Sequence, residues 1–247
     1  MTSVEAGVDM FARYAEAPNR LGYCGPAEAA TLRSGSRDEI ARAARQFTGV
    51  WPYLRVLAEM TGIADPLDHQ VVDAYWIGGG LGAQVDPREF ARRLLAIVAP
   101  QAGHYWAHLT EDLVDEAAPN HCFHVLGVYP WTRLLGRTPG IPAEQGPLSI
   151  LDHCRIAWAT VVSTDGMTAE VSGPRLRFGD GALSLTDPVT RSVQLWPGLG
   201  DLAPGDVVAV HWDRVCDRLD PDRRDRLEAH TVRQLEVTNR RLRNRAS

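Results

Sequence analysis

The chain is predicted to be an α+β protein: an N-terminal helical domain over residues 1–145, then a small OB-like β-barrel with a C-terminal helix over residues 150–247. Three observations predict this. Apolar residues recur at helical spacing as far as about residue 150. Beyond it the texture changes to short alternating runs broken by turn residues. A last periodic segment, rich in arginine, follows Asp220-Pro221.

The helical half is read from Val8, Phe11 and Ala12, from Ile40, Ala43, Ala44 and Phe47, from Leu54, Leu57 and Ala58, and from Phe90, Leu94, Leu95 and Val98. Ser36-Arg37-Asp38-Glu39 is a capping-box pattern. Asp65-Pro66 and Asp86-Pro87 each offer an aspartate cap with proline at the first helical position. Gly78-Gly79-Gly80-Leu81-Gly82 follows a predicted helix rather than a strand, so it reads as a helix joint and not as a phosphate cradle. Thr138-Pro139-Gly140-Ile141-Pro142 reads as a linker or exposed loop.

The strands are read from Ile156, Trp158 and Thr160, then Ala169 and Val171, then Leu176 and Phe178, then Val193 and Leu195, then Val208 and Val210. Cys154 is expected to open the first of them. Turns fall at Asp165-Gly166, Gly173-Pro174, Gly179-Asp180-Gly181 and Pro204-Gly205-Asp206. Strands this short imply a closed or half-closed barrel, because closure is how a small sheet hides its edges. The final helix has Leu227, Val232, Leu235 and Leu242 on its apolar side.

Composition narrows the chemistry. With 247 residues, 45% of them hydrophobic, the chain can bury a full core. It has no run of eighteen apolar residues, and its first residues lack the pattern of a signal peptide, so a cytoplasmic protein with no membrane partner is expected. The net charge of -5 argues against a nucleic-acid partner, while the Arg-rich tail reads as a solvated face or a surface for an acidic partner. All 26 basic residues are arginines. Lysine Schiff-base chemistry and a phosphate-loop lysine are therefore excluded. Ser149 stands near Asp152 and His153, but no GxSxG elbow accompanies it, and triads assemble from distant segments.

Metal ligation is the chemistry these residues suggest. Cys24, Cys122, Cys154 and Cys216 form no CxxC pair and are expected as thiols rather than a disulfide framework. Cys154 and His211 stand at the two ends of the predicted barrel, a soft thiolate and an imidazole suited to a transition metal. A second constellation lies in the helical half. His104 and His108 share a helix face at i,i+4, and His121, Cys122 and His124 fall within one turn. Together these could build a nitrogen–sulfur metal or haem site, with His69 and Cys24 as further candidates.

The run Cys154-Arg155-Ile156-Ala157-Trp158-Ala159-Thr160, the turn at Asp165-Gly166-Met167, the stretch Pro204-Gly205-Asp206-Val207-Val208-Ala209-Val210-His211 and the closing charged helix resemble the HypC/HupF-type chaperones of [NiFe]-hydrogenase assembly. The resemblance covers about residues 150–240. It implies a small barrel whose cysteine helps hold iron carrying cyanide and carbonyl ligands, passed between a scaffold and the hydrogenase large subunit. By that resemblance Cys154 is the iron-holding thiolate and His211 the matching histidine. The family's cysteine follows the initiator methionine and has proline four positions later; here Cys154 is internal and that position is Trp158.

Two functions follow as expectations. The first is an accessory or maturation protein for [NiFe]-hydrogenase, without catalysis of its own, binding a hydrogenase subunit or assembly scaffold and carrying iron or another transition metal. The second is a metal- or haem-dependent enzyme with its site at His104, His108, His121, Cys122 and His124.

Overall fold

A computed structural model describes residues 1–28, 30–98, 111–136 and 146–246. The chain divides into two compact units, Met1–His124 and Val125–Ser247. The first is helical; the second holds a closed five-stranded barrel and the long C-terminal helix. The expected linker at Thr138–Pro142 lies outside the described residues.

The first unit is built from α1 (Ser3–Arg20), α2 (Ala30–Ser34), α3 (Arg37–Ala44), α4 (Trp51–Thr61), α5 (His69–Trp76), α6 (Pro87–Val98) and α7 (His121–Phe123). Its helix starts are set by side chains that satisfy the otherwise orphaned N–H groups. Thr2 and Glu5 cap α1 reciprocally, and Ser36 and Glu39 do the same for α3, as the sequence predicts. Asp86 accepts from Glu89 N at 2.7 Å, and Pro87 opens α6. The Asp65-Pro66 expectation is corrected. Asp65 accepts from Leu67 N in a local turn, and α5 begins later under an Asp68 cap, because Asp68 offers its carboxylate to Gln70 N. Gly78, Gly79 and Gly80 all have positive φ and turn the chain out of α5 into the 3-10 helix Gly80–Gln84.

The core of this unit is aromatic. Phe11 meets Phe47 edge-on at 5.2 Å, Tyr14 stacks on Trp76 at 5.4 Å, and Tyr53 touches both Tyr75 and Phe90. Close approach of α1 to the segment before α5 depends on Gly7: a Cβ there would sit 1.9 Å from Leu67 O.

The second unit contains α8 (Pro147–Cys154), β1 (Ala157–Thr164), β2 (Thr168–Gly173), β3 (Leu176–Gly179), β4 (Ala182–Leu185), β5 (Val189–Leu195), β6 (Val207–His211), β7 (Arg214–Arg218) and α9 (Pro221–Ala246). The barrel order is β1-β2-β5-β7-β6, closed by β6 on β1, with β5 and β7 parallel and the other pairs antiparallel. Closure leaves no open edge in this sheet. Inside lie Ala159, Val161, Val171, Val193, Val208 and Val215 among others.

The predicted alternation has the wrong phase on β1. Ala159 and Val161 face the barrel interior while Thr160 is exposed, and Trp158 is also buried. Pairing with β6 is regular from Ala157 to Thr160, and a register shift follows only between Val161 and Ser163. Leu176 and Phe178 do not enter the barrel. They belong to a separate hairpin, β3–β4, turned by Asp180 and Gly181, both left-handed. Asn239 of α9 covers the edge of β4, donating to Leu183 O and accepting from Leu183 N, each at 2.8 Å.

Replacing Gly7 by alanine drives a methyl into the Leu67 carbonyl. Overpacking of this kind costs about 1–3 kcal/mol. Gly7→Ala is therefore expected to melt several degrees below wild type, whereas alanine at Gly62, where a Cβ meets nothing within 4 Å but φ is +73°, loses only the smaller cost of a left-handed alanine.

Candidate metal centre

Cys154 does not open a strand, as the sequence suggests; it is the last residue of α8, and β1 starts at Ala157. The apolar run Ile150, Leu151, Cys154 packs as one helical face behind Pro147, which starts the helix. His211 ends β6 as expected and is 1% exposed; Cys154 is 6% exposed. Their ligating atoms, the Cys154 sulfur and an imidazole nitrogen of His211, lie within 4.8 Å of each other. A metal bonded to both at ordinary Zn–S and Zn–N lengths needs a sulfur–nitrogen separation of roughly 3–4.4 Å. That range falls inside the 4.8 Å bound, so the spacing of the pair is compatible with a shared transition metal.

The last turn of α8 is fastened from both sides of Cys154. Asp152 is buried and takes hydrogen bonds from Arg155 Nε at 3.1 Å and Leu176 N at 2.7 Å, with Arg175 Nε closing an ion pair on its other oxygen. Arg155, 1% exposed, also donates to Pro174 O. Removing one partner of such a buried pair strands a charge away from water, at about 3–5 kcal/mol. Asp152→Ala is therefore expected to lower the unfolding free energy by that order, and urea titration measures it.

His153 reaches the other way, to the turn between β6 and β7. Its Nε2 lies 3.1 Å from Asp213 Oδ2, its Nδ1 lies 2.7 Å from Ser149 O, and its ring stacks on Trp212 with centroids 5.7 Å apart. Its backbone carbonyl accepts from Trp212 N at 3.0 Å. The hydrogen bond to Asp213 raises the His153 pKa against the effect of burial. Burial pushes Asp213 up, but His153 and Arg191 outweigh it and hold the carboxyl below its usual range. Arg191, pushed down to about 10 by burial and then by Arg175, remains cationic at neutral pH.

Ser149 Oγ also lies 3.2 Å from His153 Nδ1, so serine, histidine and Asp213 stand in a row. The row is not a nucleophile's relay. The nitrogen near the hydroxyl, Nδ1, faces the Ser149 carbonyl at 2.7 Å and so presents it no lone pair, while Nε2 stands between the Asp213 carboxylate and Arg175 Nη2 at 3.3 Å. Asp152, the acid nearest in sequence, is engaged by Arg155 and Arg175 instead.

The remaining sequence candidates belong to the first unit. His121 begins α7 under an Asn120 cap; its Nδ1 lies 3.0 Å from Tyr75 OH and its ring packs 4.8 Å from Trp76. His124 stacks near His121 at 6.1 Å and meets Tyr53 edge-on. Cys122 is buried beside them in sequence. His69 begins α5. Burial pushes the Cys24 thiol up to about 12, which keeps it protonated and makes it a poor ligand at neutral pH. His104 and His108 lie outside the described residues. Among the described residues no disulfide joins the four cysteines.

Sequence reasoning missed Asp152, His153, Trp212 and Asp213 as a group. The one signal available was the Trp-Asp dipeptide between two β-type runs, where a two-residue hairpin would normally carry Asn-Gly.

Burial pushes His124 down to about 4. An unfolded histidine titrates near 6.5, so between these values the unfolded chain binds more protons and the fold loses stability as pH falls. The contribution is complete above pH ~6.5 and its loss reaches about 3 kcal/mol near pH 4. Denaturation measured at pH 7.5 and 4.5 should show this slope, and His124→Gln should flatten it.

Residues 3–245 match a family described as a family of unknown function (DUF6390), and the chain belongs to it. The match spans both units. No curated protein and no solved structure matches the chain.

Proposed function

We propose that this protein is an accessory protein of [NiFe]-hydrogenase maturation whose OB-like barrel holds a transition metal, iron in the first instance, between Cys154 and His211. Its partner is a hydrogenase large subunit or a maturation scaffold. The observation that carries the reading is the convergence of these two residues, far apart in sequence, to within 4.8 Å. A thiolate and an imidazole select a soft or borderline transition metal over magnesium or calcium.

Two further features support it. With its five strands ordered β1-β2-β5-β7-β6 and a parallel β5–β7 pair, the barrel has the Greek-key arrangement expected of an OB-like fold. The Pro204-Gly205-Asp206 turn before β6 is one of the segments through which the chain resembles the HypC/HupF-type chaperones. Asp206 closes that turn by accepting from Ala203 N at 2.8 Å.

The chain departs from those chaperones in one way that changes the chemistry. The Cys154 nitrogen is a peptide nitrogen inside a helix, so no amine assists the thiolate. Both ligand side chains are buried, which suits holding a cargo more than open exchange. The remaining coordination positions fall to the cargo's own ligands or to further side chains.

A second reading places a metal- or haem-dependent enzyme in the helical half. Its support is His124, which burial keeps neutral and hence ligand-competent at neutral pH.

Metal analysis of the protein purified from a host that makes a [NiFe]-hydrogenase separates the two. We expect a metal that Cys154→Ala and His211→Ala each lose, and lower hydrogenase activity when the gene is deleted. Hydrogenase left fully active by the deletion contradicts the maturation role. A stoichiometric metal that survives Cys154→Ala but not His121→Ala favours the enzyme.

A further inference from the structure

We infer that His153 and the Trp212-Asp213 turn are a positioning device that sets Cys154 against His211; the inference rests on the reading of those two residues as metal ligands. The turn joining β6 to β7 has two residues, both left-handed, Trp212 at φ 50° and Asp213 at φ 55°. Aspartate tolerates this region, but a bulky side chain there is a true outlier. The same chain makes its other two-residue hairpin with Asp180 and Gly181, the chemistry such a turn favours. A strained tryptophan is therefore not what a hairpin requires.

What Trp212 does at this position is grip α8. Its N–H donates to the His153 carbonyl, and its indole stacks on the His153 ring. Asp213 accepts from His153 Nε2, while its own carbonyl accepts from Gln194 N at 2.9 Å on β5. On the helix side, Ser149 O fixes His153 Nδ1. Apart from the Gln194–Asp213 bond, which anchors the turn to β5, each of these bonds involves the residue next to a ligand: His153 precedes Cys154, and Trp212 follows His211. Strain at left-handed positions persists only where surrounding contacts over-determine it, and such positions gather at functional sites. Groups that orient metal ligands commonly contribute ~10- to 100-fold to metal affinity.

The test uses the full chain and Co(II) as probe, following the thiolate-to-cobalt absorption in the near ultraviolet and its dependence on metal concentration. Wild type should show the band and Cys154→Ala should lack it. No band in wild type, or a band that survives Cys154→Ala, overturns the metal reading and this one with it. Given that pattern, His153→Gln and Trp212→Gly should bind ~10- to 100-fold more weakly and show an altered band at saturation. Trp212→Gly removes the stack while relieving the backbone, so it keeps the hairpin even if His153→Gln folds poorly. The positioning role is overturned, with the metal reading intact, if His153→Gln and Trp212→Gly keep wild-type affinity and spectrum. It is equally overturned if affinity merely follows melting temperature across the variants while the saturated spectrum stays unchanged.

Discussion

The buried carboxylate of Asp152 is the constraint from which the barrel unit's candidate site is assembled. A charge in so dry a place must be compensated, and here Arg155, Arg175 and the Leu176 amide compensate it together. Arg155 follows Cys154, and Arg175 and Leu176 open the β3–β4 hairpin, so one carboxylate ties the end of α8 to the start of β1 and to the inserted hairpin. Cys154 can be placed accurately only because the helix turn carrying it has nowhere else to go.

His153 completes the fixation in the other direction. It lies one residue from Asp152 and one from Cys154, and it reaches the β6–β7 turn that immediately follows His211. The thiol and the imidazole thus meet because their neighbours are bound, one set through a buried carboxylate and the other through a strained turn. The closed barrel supplies the rigid half of this arrangement: β6 is paired on both sides, with β1 and with β7, so His211 stands at the end of a strand with no free edge.

Much of this was legible in the sequence, and the illegible parts have physical causes. Helix periodicity, the Ser36–Glu39 box and the Asp-Gly turns act locally, and they were readable because a few adjacent residues determine them. β7 was not readable. Arg214, Asp217 and Arg218 give it a polar surface in sequence, although Val215 and Cys216 are fully buried in it. The Arg214–Gln194 and Arg223–Asp217 pairs that make this polarity tolerable join residues distant in the chain or across a turn. The phase of β1 failed because Ile156, Ala157, Trp158 and Ala159 are all buried, so tertiary cover on both faces hides the alternation on which such a reading depends. Cys154 and His211 were legible as residue types, but the helix that delivers Cys154 was not. The eight residues of α8 look like the approach to a strand until the tertiary bonds of Asp152 and His153 are known.

The proposed function requires that Cys154 and His211 hold one metal together. X-ray absorption at the metal edge, on protein loaded in a hydrogenase-making host, tests it most directly. One sulfur neighbour at about 2.3 Å is expected together with imidazole nitrogen at about 2.0–2.1 Å, with the sulfur contribution gone in Cys154→Ala and the imidazole contribution reduced in His211→Ala. A first coordination shell made only of nitrogen and oxygen, unchanged by either substitution, would contradict it.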